Sequence, residues 1–154
     1  MIPYKPAQYA ELFRSMIENI QQRWPLKAVI LFGTRARGTA IQDSDYDLVI
    51  VADFTQNYLD RVSEILKLKP HVALDVFCYT PTEFKQMFQS YHVTVLDAIG
   101  EGRVLFGDEF FKQYKEQYNE LTRRGMKKVK GALLPPELAK IYDENVAGKI
   151  SQPL

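Results

Sequence analysis

Five residues decide most of what this chain can become. Ala28-Val29-Ile30-Leu31-Phe32 is an unbroken apolar run between Pro25 and Gly33. A strand with one wet face alternates apolar and polar residues, whereas a strand covered on both faces does not. The run therefore predicts a buried strand, and such a strand needs other layers packed on it. With 154 residues, 46% of them hydrophobic, the chain has enough material for one domain with a real core.

The flanking segments supply those layers. Leu12, Phe13, Met16, Ile17 and Ile20 fall on one face at helical spacing, so Pro6 to Arg23 reads as an amphipathic helix, ended by Pro25. Tyr46 to Val51 reads as a second strand and Val72 to Tyr79 as a third. Between them Thr55 is expected to cap a helix over Gln56 to Leu66. Thr80-Pro81-Thr82-Glu83 is a capping box with proline at the first helical position, which starts another helix. Val93 to Ile99 follows as a short helix, and Arg103 to Phe106 as a short strand between Gly102 and Gly107. Asp108 is expected to cap a long helix to about Arg124, with Gly125 as its left-handed C-cap. Beyond it, Pro136 to Val146 reads as a short helix in a basic tail. Helices interleaved with strands make an α/β or α+β domain around a central sheet.

Polar residues cluster where the strands begin and end. Asp45 and Asp47 stand at i and i+2 at the entry to the second strand, so their side chains share a face. Two carboxylates this close repel unless a cation lies between them, and a hard divalent ion is the natural partner. Asp75 interrupts the apolar third strand, an expensive place for a charge without a partner or a metal. If that strand neighbours the second, three acids meet at one sheet edge. Gly33 and Thr34 follow the first strand directly. Glycine lets backbone approach a ligand, and a helix opening at Thr34 would aim free amides at an anion. Arg35 and Arg37 add fixed positive charge beside it.

Taken singly, these features are bland: a Gly-Thr turn is usually a turn, and Asp-x-Asp is usually a solvated loop. In combination and order they resemble a known signature. Leu31-Phe32-Gly33-Thr34-Arg35-Ala36-Arg37-Gly38, then Ser44-Asp45-Tyr46-Asp47-Leu48, resembles the DNA polymerase β-type nucleotidyltransferases, most nearly the small MNT-type proteins. Thr34 stands where the family usually has serine and keeps the hydroxyl. The resemblance covers roughly residues 10 to 107, with Gly100 to Gly107 resembling the closing segment of such domains. It implies a polymerase β-like fold with a mixed central sheet of about four strands flanked by helices. The division it suggests is a nucleotidyltransferase domain over 1–125 and a basic C-terminal tail over 126–154, serving as a packing or partner arm.

The same resemblance implies a two-metal transfer of a nucleotide, AMP from ATP or a relative, to a hydroxyl. Asp45, Asp47 and Asp75 would be catalytic and bind two Mg²⁺. Gly33 and Thr34 would hold the triphosphate, with Arg37 and Arg35 as further phosphate-binding candidates. MNT-type proteins pair with HEPN-domain proteins in toxin–antitoxin modules, so a HEPN partner is the expected acceptor. The alternatives are a non-catalytic module that blocks its partner, and a small-molecule nucleotidyltransferase of the antibiotic-modifying type working as a dimer. Too little chain follows Phe106 for a large acceptor-binding domain, so that site is expected to be open, completed by a homo-oligomer, or supplied by another protein.

Other residues fit plainer roles. His71 and His92 show neither triad nor zinc spacing, Ser44 suits a turn, and Asp43 reads as a loop acid. Cys78 is the single cysteine, which excludes an internal disulfide and suits a cytoplasmic protein. No signal peptide or membrane span is expected. Basic and acidic residues number 20 and 19, so bulk charge does not favour nucleic acid as the main partner. The run Arg123, Arg124, Lys127, Lys128 and Lys130 reads first as a solvated helix end, and second as a partner contact.

Overall fold

In the computed structural model, which describes residues 1–151, the apolar run ahead of Gly33 becomes β1 (Leu26–Phe32). It lies inside a four-stranded sheet, between β2 (Tyr46–Ala52) and β4 (Arg103–Phe106), with β3 (Leu74–Tyr79) beyond β2. β1 runs antiparallel to both neighbours, while β2 and β3 are parallel, so the sheet is mixed as expected.

Both faces of the sheet are covered, which explains the unbroken run. Val29, Leu31, Leu48 and Ile50 pack under α1 (Pro6–Arg23) and α3 (Tyr58–Leu66), against Phe13, Met16, Ile20 and Ile65. Ala28, Ile30, Phe32, Val49 and Val51 face the opposite layer. That layer is α4 (Pro81–Gln89), α5 (Val93–Glu101) and α6 (Asp108–Arg123), which contribute Phe84, Phe88, Leu96, Ile99, Tyr114 and Tyr118. A single helical turn, α2 (Gly33–Arg37), joins β1 to the loop before β2.

The capping box behaves as its sequence predicts, with Thr80 Oγ1 accepting from the Glu83 amide and Glu83 accepting from the Thr80 amide. Two other caps differ from expectation. Asn57, not Thr55, caps α3, accepting from the Asp60 amide at 3.0 Å. Thr55 lies two residues before this cap and outside the helix. At α6 the capping position belongs to Gly107 at φ 90°, and Asp108 is the first helical residue, where its charge still suits the positive helix end. A Cβ at Gly107 would strike the Lys27 carbonyl. The far end of α6 closes on a two-bond turn around Gly125, with Met126 N–H donating to Leu121 and Gly125 N–H to Thr122.

The segment after Gly125 has more structure than its basic composition suggests. Lys127–Val129 (β5) and Ala132–Leu134 (β6) form a hairpin. Its turn is Lys130-Gly131, both at positive φ, the backbone a two-residue hairpin demands. α7 (Pro136–Ser151) follows and extends past Val146. Among the described residues no helix is long and apolar enough to cross a membrane.

Candidate active site

The exit from β1 builds one wall of the site. Phe32 is the N-cap of α2, and Gly33 adopts φ +73°, where a side chain is strained. A Cβ on Gly33 would also clash with Oδ2 of Asp47 and lie 3.3 Å from its carboxylate carbon. Conformation and space therefore both require glycine, and together they set the Asp47 carboxylate directly against backbone. α2 then ends at once, because Gly38 turns left-handed and its amide, with that of Thr39, bonds to the Thr34 carbonyl. Thr34 is half-buried at the start of this turn.

The acids form the second wall. β3 does lie beside β2, and the ladder pairs Asp47 with Asp75. Opposed residues on neighbouring strands share a face, so both carboxylates project from the same side of the sheet. Asp45 stands one residue before β2 and, like Asp75, is exposed, whereas Asp47 is half-buried. The Asp47 carboxyl is pushed up to about 6 by burial, then by the charges of Asp75 and Asp45, with Glu101 adding to them and Arg37 opposing. Among the described residues no group of three or more His, Cys, Asp and Glu side chains is closed enough to hold a metal ion. The three acids nevertheless crowd negative charge around Asp47 and offer only oxygen donors, the chemistry that suits a hard cation such as Mg²⁺.

The two arginines of α2 part company. They stand two residues apart on a helix, which turns them roughly 200° from each other. Arg35 points inward and is 7% exposed. Its Nε and Nη2 donate to the Ser44 carbonyl at 3.2 and 2.9 Å, and Nη2 to that of Gln42 at 3.1 Å. Its guanidinium lies 4.4 Å from the centroid of the Tyr46 ring. Arg35 thus clamps the loop that delivers Asp45 instead of facing the site. Ser44 tightens the same loop, accepting from the Ile41 amide through Oγ at 2.9 Å. Arg37 points outward and donates to Oε1 of Glu101 at 2.8 Å.

Glu101 is the site residue that sequence reasoning passes over. It ends α5, yet its Oε1 also accepts from the Gly33 amide at 3.3 Å. Nothing local ties it to a glycine 68 positions earlier; only the packing of α5 beside α2 does so. Arg103 is a second such residue, its Nε donating to the Ala36 carbonyl at 3.4 Å and fastening the end of α2. The site therefore combines a carboxylate cluster with a backbone amide and a guanidinium that already hold an anionic group. His71 and His92 are both exposed.

A family model described as "Nucleotidyltransferase domain" matches residues 14–141. A "Putative protein adenylyltransferase" of Methanocaldococcus jannaschii is 36% identical over 85 residues, spanning 54% of this chain and 82% of that protein. Among solved structures, a "putative nucleotidyltransferase" from Sulfolobus solfataricus aligns at 19% identity and a TM-score of 0.49, over 68% of this chain and 85% of its own. A complex of a tri-AMPylated Shewanella oneidensis HEPN toxin with an MNT antitoxin aligns at 15% identity and a TM-score of 0.41, over 92% and 95%. At these scores the structural likenesses carry no weight for function.

Proposed function

Because the chain belongs to the nucleotidyltransferase domain family, we propose that it transfers AMP from ATP to a hydroxyl of a partner protein, a HEPN-domain toxin, in the cytoplasm. One observation supports this above the others. Asp47 sits against Gly33 on one side and pairs with Asp75 on the other, so a triphosphate cradle and an acid cluster share a single residue.

In this reading the acceptor oxygen forms a bond to the α-phosphorus while the bond from that phosphorus to the bridging oxygen breaks and pyrophosphate leaves. Two Mg²⁺, held by Asp45, Asp47 and Asp75, would neutralise the charge developing on the attacking and leaving oxygens. Gly33 lets phosphate approach the backbone, and the Thr34 hydroxyl and Arg37 guanidinium donate to its oxygens. Arg35 acts through the loop, holding Asp45 in register with Asp47. Asp75 is exposed at the sheet edge, open to an approaching acceptor, and receives the hydroxyl proton.

Two features favour a protein acceptor. The Methanocaldococcus relative bears the name of a protein adenylyltransferase. In addition, α7 exposes Leu138, Ile141, Tyr142 and Val146, apolar side chains at helical spacing in the segment proposed as a partner arm. The test is incubation of the protein with Mg²⁺, labelled ATP and the HEPN partner. Label is expected on the partner, with pyrophosphate released, and none with Asp45→Asn or Asp75→Asn. Transfer that persists in both variants would overturn the assignment.

A further inference from the structure

Gly33 is buried, and its amide is a single donor that must find a partner inside the protein. The partner it has is a carboxylate. Oε1 of Glu101 accepts from Gly33 N–H at 3.3 Å and from Arg37 Nη1 at 2.8 Å. Arg37 is a donor proposed above for the triphosphate and Gly33 is the backbone that it approaches, and one carboxylate oxygen bridges the two as a phosphate oxygen would.

The position of Glu101 is otherwise unfavourable. It is the last residue of α5, where the helix presents its negative end and a carboxylate is disfavoured. Like charges of Asp47 lie close enough to feel it. The Gly33 and Arg37 contacts are what hold it there. It also has somewhere to go. A pocket of about 480 Å³ beside it is lined by Arg37, Arg103 and Lys115 as well as Glu101. A carboxylate turned away from Gly33 therefore still has cations within its own pocket. Its side chain is 27% exposed, so the turn does not require opening the core.

We infer that Glu101 is an internal surrogate for a nucleotide phosphate: it occupies the Gly33 amide and Arg37 in the free protein, and the triphosphate displaces it. The inference rests on the assignment of Gly33 and Arg37 to the triphosphate. The amide hydrogen of Gly33 cannot serve two anions, so binding must break the Glu101 contact there. Glu101 consequently weakens nucleotide binding and keeps the cradle formed in its absence. It is a positioning residue, acting through the two donors it holds.

The experiment measures binding of a non-hydrolysable ATP analogue with Mg²⁺ to the full chain by calorimetry, and follows the Gly33 amide by ¹⁵N NMR. Glu101→Gln retains an acceptor oxygen but loses the charge, and is expected to bind the analogue about three- to tenfold more tightly, since a charge-assisted bond is exchanged for a neutral one. Glu101→Ala should shift binding in the same direction. In the unsubstituted protein the Gly33 resonance should move on titration, and its free-state position should differ in both variants. A merely structural role would leave affinity unchanged or lower it. Equal or weaker binding by Glu101→Gln, or a Gly33 resonance indifferent to the analogue, overturns the inference. Tighter binding without AMP transfer to any HEPN partner would overturn the proposed acceptor and leave the surrogate standing. No analogue binding by either protein would overturn both.

Discussion

The two ends of β3 handle buried charge in opposite ways. At its start, Asp75 faces Asp47 across the ladder with like charge against like, and Asp47 is driven up to about 6. Past its end, Glu83 meets Arg61. Arg61 is 8% exposed and donates to Glu83 at 2.7 Å, to the Cys78 carbonyl at 3.3 Å and to the Gln56 carbonyl at 2.8 Å. Burial works against the charge of Glu83, yet hydrogen bonds from Thr80 and the pairing with Arg61 outweigh it, and its carboxyl is held below the ordinary value. One end is arranged for stability and the other against it. An unrelieved acid cluster at one end and a satisfied one at the other is the contrast that the proposed cation-binding role of Asp47 requires.

The sharpest way to break this comparison is Asp47→Asn. If Asp47 holds Mg²⁺ as proposed, removing its charge takes away metal stabilisation of the transition state worth several kcal/mol, and transfer should fall roughly a thousandfold. The same change should raise the melting temperature of the metal-free protein at neutral pH, by about 2–4 °C. Transfer assays and thermal denaturation in chelator check the two halves, and a lower melting temperature would mean the repulsion is already relieved.

At the satisfied end the expected sign reverses. Arg61→Met should destabilise the fold by about 3 kcal/mol, because Glu83 loses its cation and the carbonyls of Cys78 and Gln56 lose a donor. Denaturant titration of the purified variant reads this directly. Equal stability would show that water enters to replace the guanidinium.

Acidity offers a gentler probe of the same contrast. The folded Asp47 binds its proton up to about pH 6, against an ordinary value of 3.8. Between those limits the native state holds more protons than the unfolded state, so this residue's contribution to stability falls as pH rises and is flat above. The shift corresponds to at most about 3 kcal/mol, and partial exposure brings that to about 1–2 kcal/mol. Glu83 behaves oppositely: its contribution is present above the ordinary carboxyl value and is lost as pH falls through its lowered folded value. Stability measured from pH 4 to 7 in chelator, with Asp47→Asn as reference, separates the two; identical slopes would remove Asp47 as the source.

The smallest effect belongs to the cap of α4. Thr80→Ala should cost about 1 kcal/mol by removing the acceptor for the Glu83 amide. A greater loss in the Arg61→Met background would mean that cap and ion pair are coupled, as their shared Glu83 implies.

Periodicity made α1, β1 and β2 readable, and the capping box made α4 readable, because those signals are local. The order of the motifs likewise singled out Gly33, Asp45, Asp47 and Asp75 as candidates, and the fold sets Gly33 against Asp47 and Asp47 opposite Asp75. What was hidden depended on distant packing or on geometry within one turn. Arg35 and Arg37 look alike as letters, and only the rotation of α2 sends one to the loop carbonyls and the other to Glu101. The pairing of Glu101 with Gly33 exists only once α5 rests beside α2. The β5–β6 hairpin was obscured by lysines that read as a solvated run, although Lys130-Gly131 carried a turn signal. Thr55 and Asn57 are both good caps, and the chain uses the later one.

Asp75 rides on β3, an outer strand of the sheet, whereas Asp47 lies on the interior strand β2 and Gly33 directly follows the interior strand β1. Outer strands exchange their amides sooner than central ones, since they fray without dismantling the middle. The third acid is thus expected to detach and return while β1 and β2 stay paired. Hydrogen exchange should find the Asp75 backbone opening before that of Leu31 or Leu48, so loss of competence on warming should precede loss of the fold.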